Sequence, residues 1–148
     1  MKLVNFRYNA NQEGISFGVL EDDYVIDLKS EPTESFIKPL DSIKKLIEKT
    51  TEHDKISSDE VTLVSPILRA NSLRDAYAFR QHVEAGRRSR GLNMIPEYDK
   101  FPVFYYGNHN AITGPGEIQI QKDQSVKLDY ELEIAAIIGK EGKNISVD

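Results

Sequence analysis

Short runs in which apolar residues alternate with polar ones, or follow one another directly, dominate the beginning of the chain. These runs span residues 2–8, 14–20 and 24–28, and the acidic triplet Glu21-Asp22-Asp23 separates the last two. A period of two places alternate side chains on opposite faces of a sheet, whereas acidic triplets of this kind favour turns. The pattern therefore predicts a small meander of strands.

A helical period follows. Four aliphatic residues recur at helical spacing, with charged residues between them: Leu40, Ile43, Leu46 and Ile47. Asp41 or Ser42 is suitably placed to cap this helix. The polar stretch 50–60 is predicted as a loop, and residues 61–64 as a short strand that ends at Ser65-Pro66.

The pattern changes between Pro66 and Asn71, where we expect a domain boundary. Residues 1–66 would form a small N-terminal, strand-rich domain, and residues 67–148 would belong to a second domain. Strands outnumber helices in this prediction, so the expected fold class is mixed α+β and β-rich.

A capping box appears at the start of the second part. Ser72 has the layout of an N-cap and Asp75 lies at the third helical position, which predicts a helix from Ser72 to about Arg87. On that helix, Asp75 and His82 would lie two turns apart on nearly one face. The ordinary alternative is that Asp75 only complements the helix dipole and that His82 is a packed or surface histidine.

Three arginines follow the predicted helix: Arg87, Arg88 and Arg90. Cations near a helix C-terminus are favoured by its dipole, so a solvated helix end explains them. The competing interpretation is that Arg90 grips a substrate carboxylate through two parallel hydrogen bonds.

An aromatic, β-prone run occupies residues 101–107, and Gly114-Pro115-Gly116 interrupts the chain before a predicted strand at 117–121. Core packing is the default role for such aromatic residues. The hydroxyl of Tyr105 could instead point into a pocket and donate to a substrate oxygen.

Acidic residues alternate with apolar ones in the segment 127–139, which is predicted as a strand. Asp129, Glu131 and Glu133 would share one face. A solvated outer face would explain them, but like charges repel and the apolar run Ile134 to Ile138 is typical of a buried strand. Acids that enter a buried region need a compensating cation, and hard divalent metals bind carboxylate oxygens.

The composition excludes several classes of site. A net charge of -5 gives no general attraction to nucleic acid, and no apolar run is long enough to cross a membrane. The first residues do not resemble a signal peptide, so we expect a cytoplasmic protein. The absence of cysteine excludes disulfides, thiolate zinc sites and cysteine nucleophiles.

The segment from Ser72 to Ile145 resembles the fumarylacetoacetate hydrolase family, in the branch whose helix reads Asp-x-Tyr-x-x-x-Gln-His. Phe101-Pro-Val, Thr113-Gly-Pro-Gly and the run 128–139 are similar to the surrounding framework of that family. The resemblance implies a fumarylacetoacetase-type β-roll domain, of which this chain would hold the N-terminal part. The strand-rich residues 1–66 look like the small N-terminal β-barrel of that family. The resemblance also implies a homodimer.

The resemblance implies a role for seven residues. The metal ligands, for Mg²⁺ or Ca²⁺, would be Asp75, Glu131 and Glu133. The general base would be His82, and the substrate contacts would be Tyr77, Arg90 and Tyr105.

Two departures accompany the resemblance. The family has a further aspartate ligand downstream of the Glu-x-Glu pair, and this sequence reaches Asp148 without it, which is what a fragment would show. The glutamate that polarises the histidine in some relatives is replaced by Ala85, and Glu84 would lie on the wrong side of the predicted helix.

The implied activity is hydrolysis of a carbon–carbon bond in a 1,3-dicarbonyl acid, with a small keto acid as substrate and with neither a nucleic acid nor a membrane as partner. Two alternatives stay open. One is decarboxylation or isomerisation of related keto acids at the same site, and the other is a truncated, non-catalytic binding or assembly module.

Overall fold

The structure is a computed structural model, and it describes residues 1–32, 38–128 and 130–146. Asp129, which we predicted on the acidic strand face, lies outside the described residues. The chain forms two compact units: one comprises residues 1–69 and 112–148, and the other comprises residues 70–111.

The first unit contains a five-stranded antiparallel sheet. Its strands are β1 (Lys2–Tyr8), β2 (Ser16–Glu21), β3 (Tyr24–Asp27), β4 (Lys55–Ser57) and β5 (Val61–Leu63). They pair in the order β4-β3-β2-β1-β5, and helix α1 (Leu40–Ile47) follows β3 along the chain. The predicted meander, helix and last strand are confirmed, and the chain is mixed α+β with a curled, half-barrel sheet.

Both faces of this sheet are buried, because alternate residues of the strands contribute to two separate hydrophobic clusters. The cluster on the α1 side contains Phe17, Val19, Ile26, Leu28 and Ile43. The cluster on the other side contains Phe6, Val25 and Val61. The register explains the division: Val19 lies opposite Leu3 and Ile26, and Leu20 opposite Val25.

Two local predictions within residues 39–60 of this unit are wrong. The stretch 50–60 contains β4, where Ile56 pairs with Val25 and packs on the second cluster. A single apolar residue among polar ones gives too weak a periodic signal to reveal such a short edge strand. The N-cap of α1 is Pro39, and no side chain caps the helix. Asp41 instead lies in the first turn, 3.8 Å from the ammonium group of Lys44.

A polar cluster links the last residue of β1 to the last residue of β3 through their side chains. The Tyr8 hydroxyl donates to the carboxylate of Asp27 over 2.6 Å, and the Lys29 ammonium group donates to the same carboxylate over 2.9 Å. Asp27 is only 3% exposed. Burial and the hydrogen bond to Asp27 raise the pKa of Tyr8, and the hydrogen bond to Asp27 raises the pKa of Lys29.

This cluster predicts a loss of stability in alkaline solution. Raised pKa values mean that the folded chain holds both protons more tightly than the unfolded chain. The resulting stabilisation is complete below the ordinary values of 10.0 and 10.5 and is lost as the pH rises through the folded-state values. We expect the free energy of unfolding, measured by urea denaturation, to fall less steeply above pH 10.0 in Tyr8→Phe than in the unaltered protein. Equal slopes for Tyr8→Phe and the unaltered protein would refute the expectation.

The second unit contains β6 (Leu73–Ala76), α2 (Arg80–Ser89) and β7 (Phe104–Gly107). Strands β6 and β7 form a separate two-stranded antiparallel sheet. Among the described residues, no helix combines the length and apolar character needed to cross a membrane.

Candidate active site

The two-stranded sheet of the second unit brings two of the predicted site residues together. Asp75 on β6 lies directly opposite Tyr105 on β7. The ladder continues past the end of β6, because the backbone N–H of Tyr77 donates to the carbonyl of Val103 over 3.1 Å. Hydrogen-bonded pairs alternate along an antiparallel ladder, so Asp75 and Tyr105 also form such a pair, with Cα atoms about 5.5 Å apart.

The alternation of strand side chains puts Asp75, Tyr105 and Tyr77 on one face of this ladder. All three are exposed. Gly107 lies on the same face opposite Leu73, where an added Cβ would come within 2.9 Å of the Leu73 side chain. The face thus presents one carboxylate and two phenol groups.

The opposite face of the ladder is cationic and aromatic. The guanidinium group of Arg74 lies 5.5 Å from the ring centre of Phe104 and 5.3 Å from that of Tyr106. The two rings contact each other edge to face. These cation–π contacts stabilise the pairing of β6 with β7 and thereby the position of Asp75.

The predicted helix from Ser72 to Arg87 is wrong in its first half. Residues Leu73–Ala76 form β6, and the N-cap of α2 is Phe79. The pairing with β7 overrides the local capping-box pattern, since it satisfies the backbone groups of β6 with a partner distant in sequence. Asp75 and His82 therefore lie on different elements, and their predicted spacing on one helix face is also wrong.

Helix α2 carries two further predicted residues. His82 is exposed in the first turn, whereas its neighbour Val83 is buried. Arg90 is the C-cap residue, and its Nε donates to the carbonyl of Gly86 over 2.9 Å. Glu84, which we excluded as a partner for the histidine, lies 3.9 Å from the guanidinium group of Arg88.

Glu131 and Glu133 belong to the other unit and are exposed. The strands predicted at 117–121 and 127–139 are wrong, because the structure assigns neither a strand nor a helix to the described residues of either segment. Leu132 and Ile134 are almost completely exposed. A strand requires a neighbour for its backbone hydrogen bonds, and no described strand pairs with these segments.

The types of ligand fit a hard divalent cation, since Asp75, Glu131 and Glu133 supply carboxylate oxygens. The described residues do not form a complete metal site, however. Within residues 1–32, 38–128 and 130–146, no three histidine, aspartate or glutamate side chains are grouped closely enough to hold a metal ion.

Three residues that the sequence did not single out connect the strand and the helix of this unit. They are Arg80, Tyr98 and Asp99, which contact one another and the backbone between β6 and α2. Their pairing links positions about twenty residues apart in a polar segment, so no periodic pattern or motif could have revealed it.

Comparison with known proteins assigns the chain to a class. The family model described as fumarylacetoacetate (FAA) hydrolase C-terminal matches residues 71–148, which is more than half of the chain. The chain therefore belongs to the fumarylacetoacetate hydrolase family, and the predicted resemblance is confirmed. Members of this family are generally enzymes of hydrolase or decarboxylase type, and they typically depend on a divalent metal.

A relative from Dictyostelium discoideum, called fumarylacetoacetate hydrolase domain-containing protein 2 homolog, is 27% identical to the chain over 156 residues. The alignment covers 99% of this chain and 48% of that protein. The chain thus spans about half the length of this curated relative. No match to a solved structure was found.

Proposed function

We propose that the protein hydrolyses a carbon–carbon bond in a 1,3-dicarbonyl acid of the fumarylacetoacetate or acylpyruvate type. The observation that carries the proposal is the register of the β6–β7 ladder, in which Asp75 pairs with Tyr105 and Tyr77 follows on the same face. This ladder lies within the segment that matches the family. The ladder combines a carboxylate, which can bind a hard divalent cation, with two phenol hydroxyl groups that can orient a substrate.

The metal is proposed to be Mg²⁺ or Ca²⁺, held by Asp75, Glu131 and Glu133. A bound divalent ion would supply Lewis-acid polarisation of substrate oxygens. The contribution of the chain is a set of carboxylates that compensate the charge of the ion.

His82 is proposed to act as general base. Its imidazole would accept a proton from water while the water oxygen forms a bond to the acyl carbonyl carbon. The bond between that carbon and the neighbouring methylene then breaks, and the methylene carbon takes the electron pair and afterwards a proton. An acylpyruvate would give pyruvate and a carboxylic acid.

Arg90, Tyr77 and Tyr105 are proposed to orient the substrate. A guanidinium group can hold a carboxylate through two parallel hydrogen bonds, and phenol hydroxyls can donate to carbonyl oxygens. The hydrogen bond from Arg90 to Gly86 occupies only Nε, so the terminal nitrogen atoms stay suitable for a carboxylate.

Product analysis tests the proposed reaction. We expect the natural protein with Mg²⁺ to convert an acylpyruvate into equimolar pyruvate and carboxylic acid. Release of CO₂ from oxaloacetate without acylpyruvate cleavage would identify a decarboxylase instead. Isomerisation of a hydroxydienedioate without cleavage would identify an isomerase. No turnover of the three substrates would contradict the enzymatic proposal and favour a binding module.

The proposal also covers the domain organisation and the oligomeric state of the protein. We propose that the residues up to Pro66 form a small N-terminal domain and that the residues from Ile67 onward belong to a fumarylacetoacetase-type catalytic domain. We also propose that the protein assembles as a homodimer.

A further inference from the structure

The segment Tyr77-Ala78-Phe79 connects the strand that carries Asp75 to the helix that carries His82. It makes a tight turn, since the backbone N–H of Ala78 donates to the carbonyl of Ala76 over 2.7 Å. Because the two residues lie on different elements, the conformation of this three-residue connector determines how Asp75 and His82 stand relative to each other. Whatever fixes the connector therefore fixes how Asp75 and His82 are placed relative to each other.

The connector is held from outside by the segment 98–103. The Tyr98 hydroxyl donates to the carbonyl of Tyr77 over 2.8 Å. At the start of α2, a terminal nitrogen of Arg80 lies 3.1 and 3.2 Å from the two carboxylate oxygens of Asp99. The guanidinium group of Arg80 also lies 5.5 Å from the ring centre of Tyr98. These three side chains thus form one connected clamp on both ends of the connector.

Apolar packing does not replace this clamp. An open cleft of about 410 Å³ lies between residues 76–78 and residues 98–103. The cleft leaves one side of the connector without packed neighbours, so the polar contacts beside the cleft hold the connector, together with the backbone bond from Tyr77 to Val103. The Arg80–Asp99 pair is largely exposed, and exposed pairs add little to global stability. We therefore assign this pair a local role, which is to hold the start of α2 in position beside the connector.

We propose that Tyr98, Arg80 and Asp99 are positioning residues, which hold the connector so that Asp75, Tyr77 and His82 keep their productive arrangement. The inference rests on the proposed function, because it assigns those three residues to the site. The clamp itself touches the connector and has no direct contact with substrate in this proposal.

The test compares Tyr98→Phe and Asp99→Asn with the unaltered natural protein. We expect kcat for the keto acid to fall roughly tenfold to a hundredfold, because small displacements of reacting groups cost rates of that order, with a smaller change in KM. Amide hydrogen exchange of residues 77–80 should become faster. The exchanged pair Arg80→Asp with Asp99→Arg should recover part of the activity that either single change removes.

Two matched variants serve as controls. Tyr24→Phe removes a phenol hydroxyl of the first unit that donates to Glu21, and Glu84→Gln removes the exposed pair with Arg88. Both should keep kcat and the exchange rates of residues 77–80. A merely structural role would lower the melting temperature of the clamp variants and leave kcat per folded molecule unchanged.

The results separate the two proposals. If kcat of the folded clamp variants stays within about twofold of the original, or if exchange of residues 77–80 is unchanged, the clamp is overturned. If the unaltered protein turns over no keto acid, the proposed function fails. In that case the exchange measurement alone decides on the clamp.

Discussion

Replacement of His82 by alanine is expected to lower kcat for acylpyruvate hydrolysis by roughly 10²–10⁴-fold, because general base catalysis contributes about that factor. The expected change in KM is small, since the imidazole is proposed to act on water and to leave substrate binding to Tyr77, Arg90 and Tyr105. Steady-state kinetics of the purified natural protein with Mg²⁺ would measure both constants. His82 is exposed on α2, so the substitution should leave the fold intact.

His109→Ala is the matched control, because it removes an imidazole from a short turn after β7 to which the proposal gives no role. The melting temperatures of both variants should stay close to that of the unaltered protein. A His82→Ala variant that retains kcat would remove His82 from the mechanism, even if the family assignment holds.

Replacement of Phe6 by alanine is expected to lower the free energy of unfolding by about 3–5 kcal/mol, the range found when a large buried aromatic side chain is truncated. Phe6 is 0% exposed and packs with Val25 and Val61. Its removal leaves a cavity between β1 and its neighbours that the paired strands cannot close without losing their register. Urea denaturation followed by circular dichroism would give the change.

Phe101→Ala provides the comparison for this second prediction, since Phe101 is 55% exposed and its truncation should change the free energy of unfolding far less. Equal destabilisation by the two changes would show that the cluster around Phe6 does not dominate the stability of the chain.

Most of the segment 1–69 in the first unit could be predicted from the sequence, because its signals are local and repeated. Apolar and polar residues alternate, or apolar residues follow one another, along β1, β2 and β3, which pair as neighbours in the sheet. The apolar residues of α1 recur with a clear helical period. The edge strand β4 was missed because Ile56 is its one apolar residue, which gives too weak a periodic signal.

The second unit was harder to predict because its decisive contacts are distant in sequence. Ser72 and Asp75 form a capping pattern that is complete within four residues, whereas β6 forms through the pairing of Leu73 with Gly107 and of Asp75 with Tyr105. A local capping pattern does not reveal that the backbone groups of a distant segment, here β7, will pair with those of the predicted helix.

The candidate residues came from patterns in the sequence and from the motifs of the family that it resembles, and the structure brings only some of them together. Asp75 and Tyr105 are cross-strand partners, which spacing alone had not suggested. The roles of Glu131 and Glu133 as metal ligands stay a prediction, since they rest on the Glu-x-Glu motif and on carboxylate chemistry. The contacts of Tyr98 with the connector had no signal in the sequence.

Turnover of an acylpyruvate by the natural protein, before and after removal of divalent ions with EDTA, tests the central claim most directly. We predict cleavage to pyruvate and a carboxylic acid, loss of this cleavage after chelation, and recovery when Mg²⁺ or Ca²⁺ is returned in excess. Undiminished cleavage after chelation would contradict the metal-dependent site, and absence of cleavage with Mg²⁺ present would contradict the proposed hydrolase.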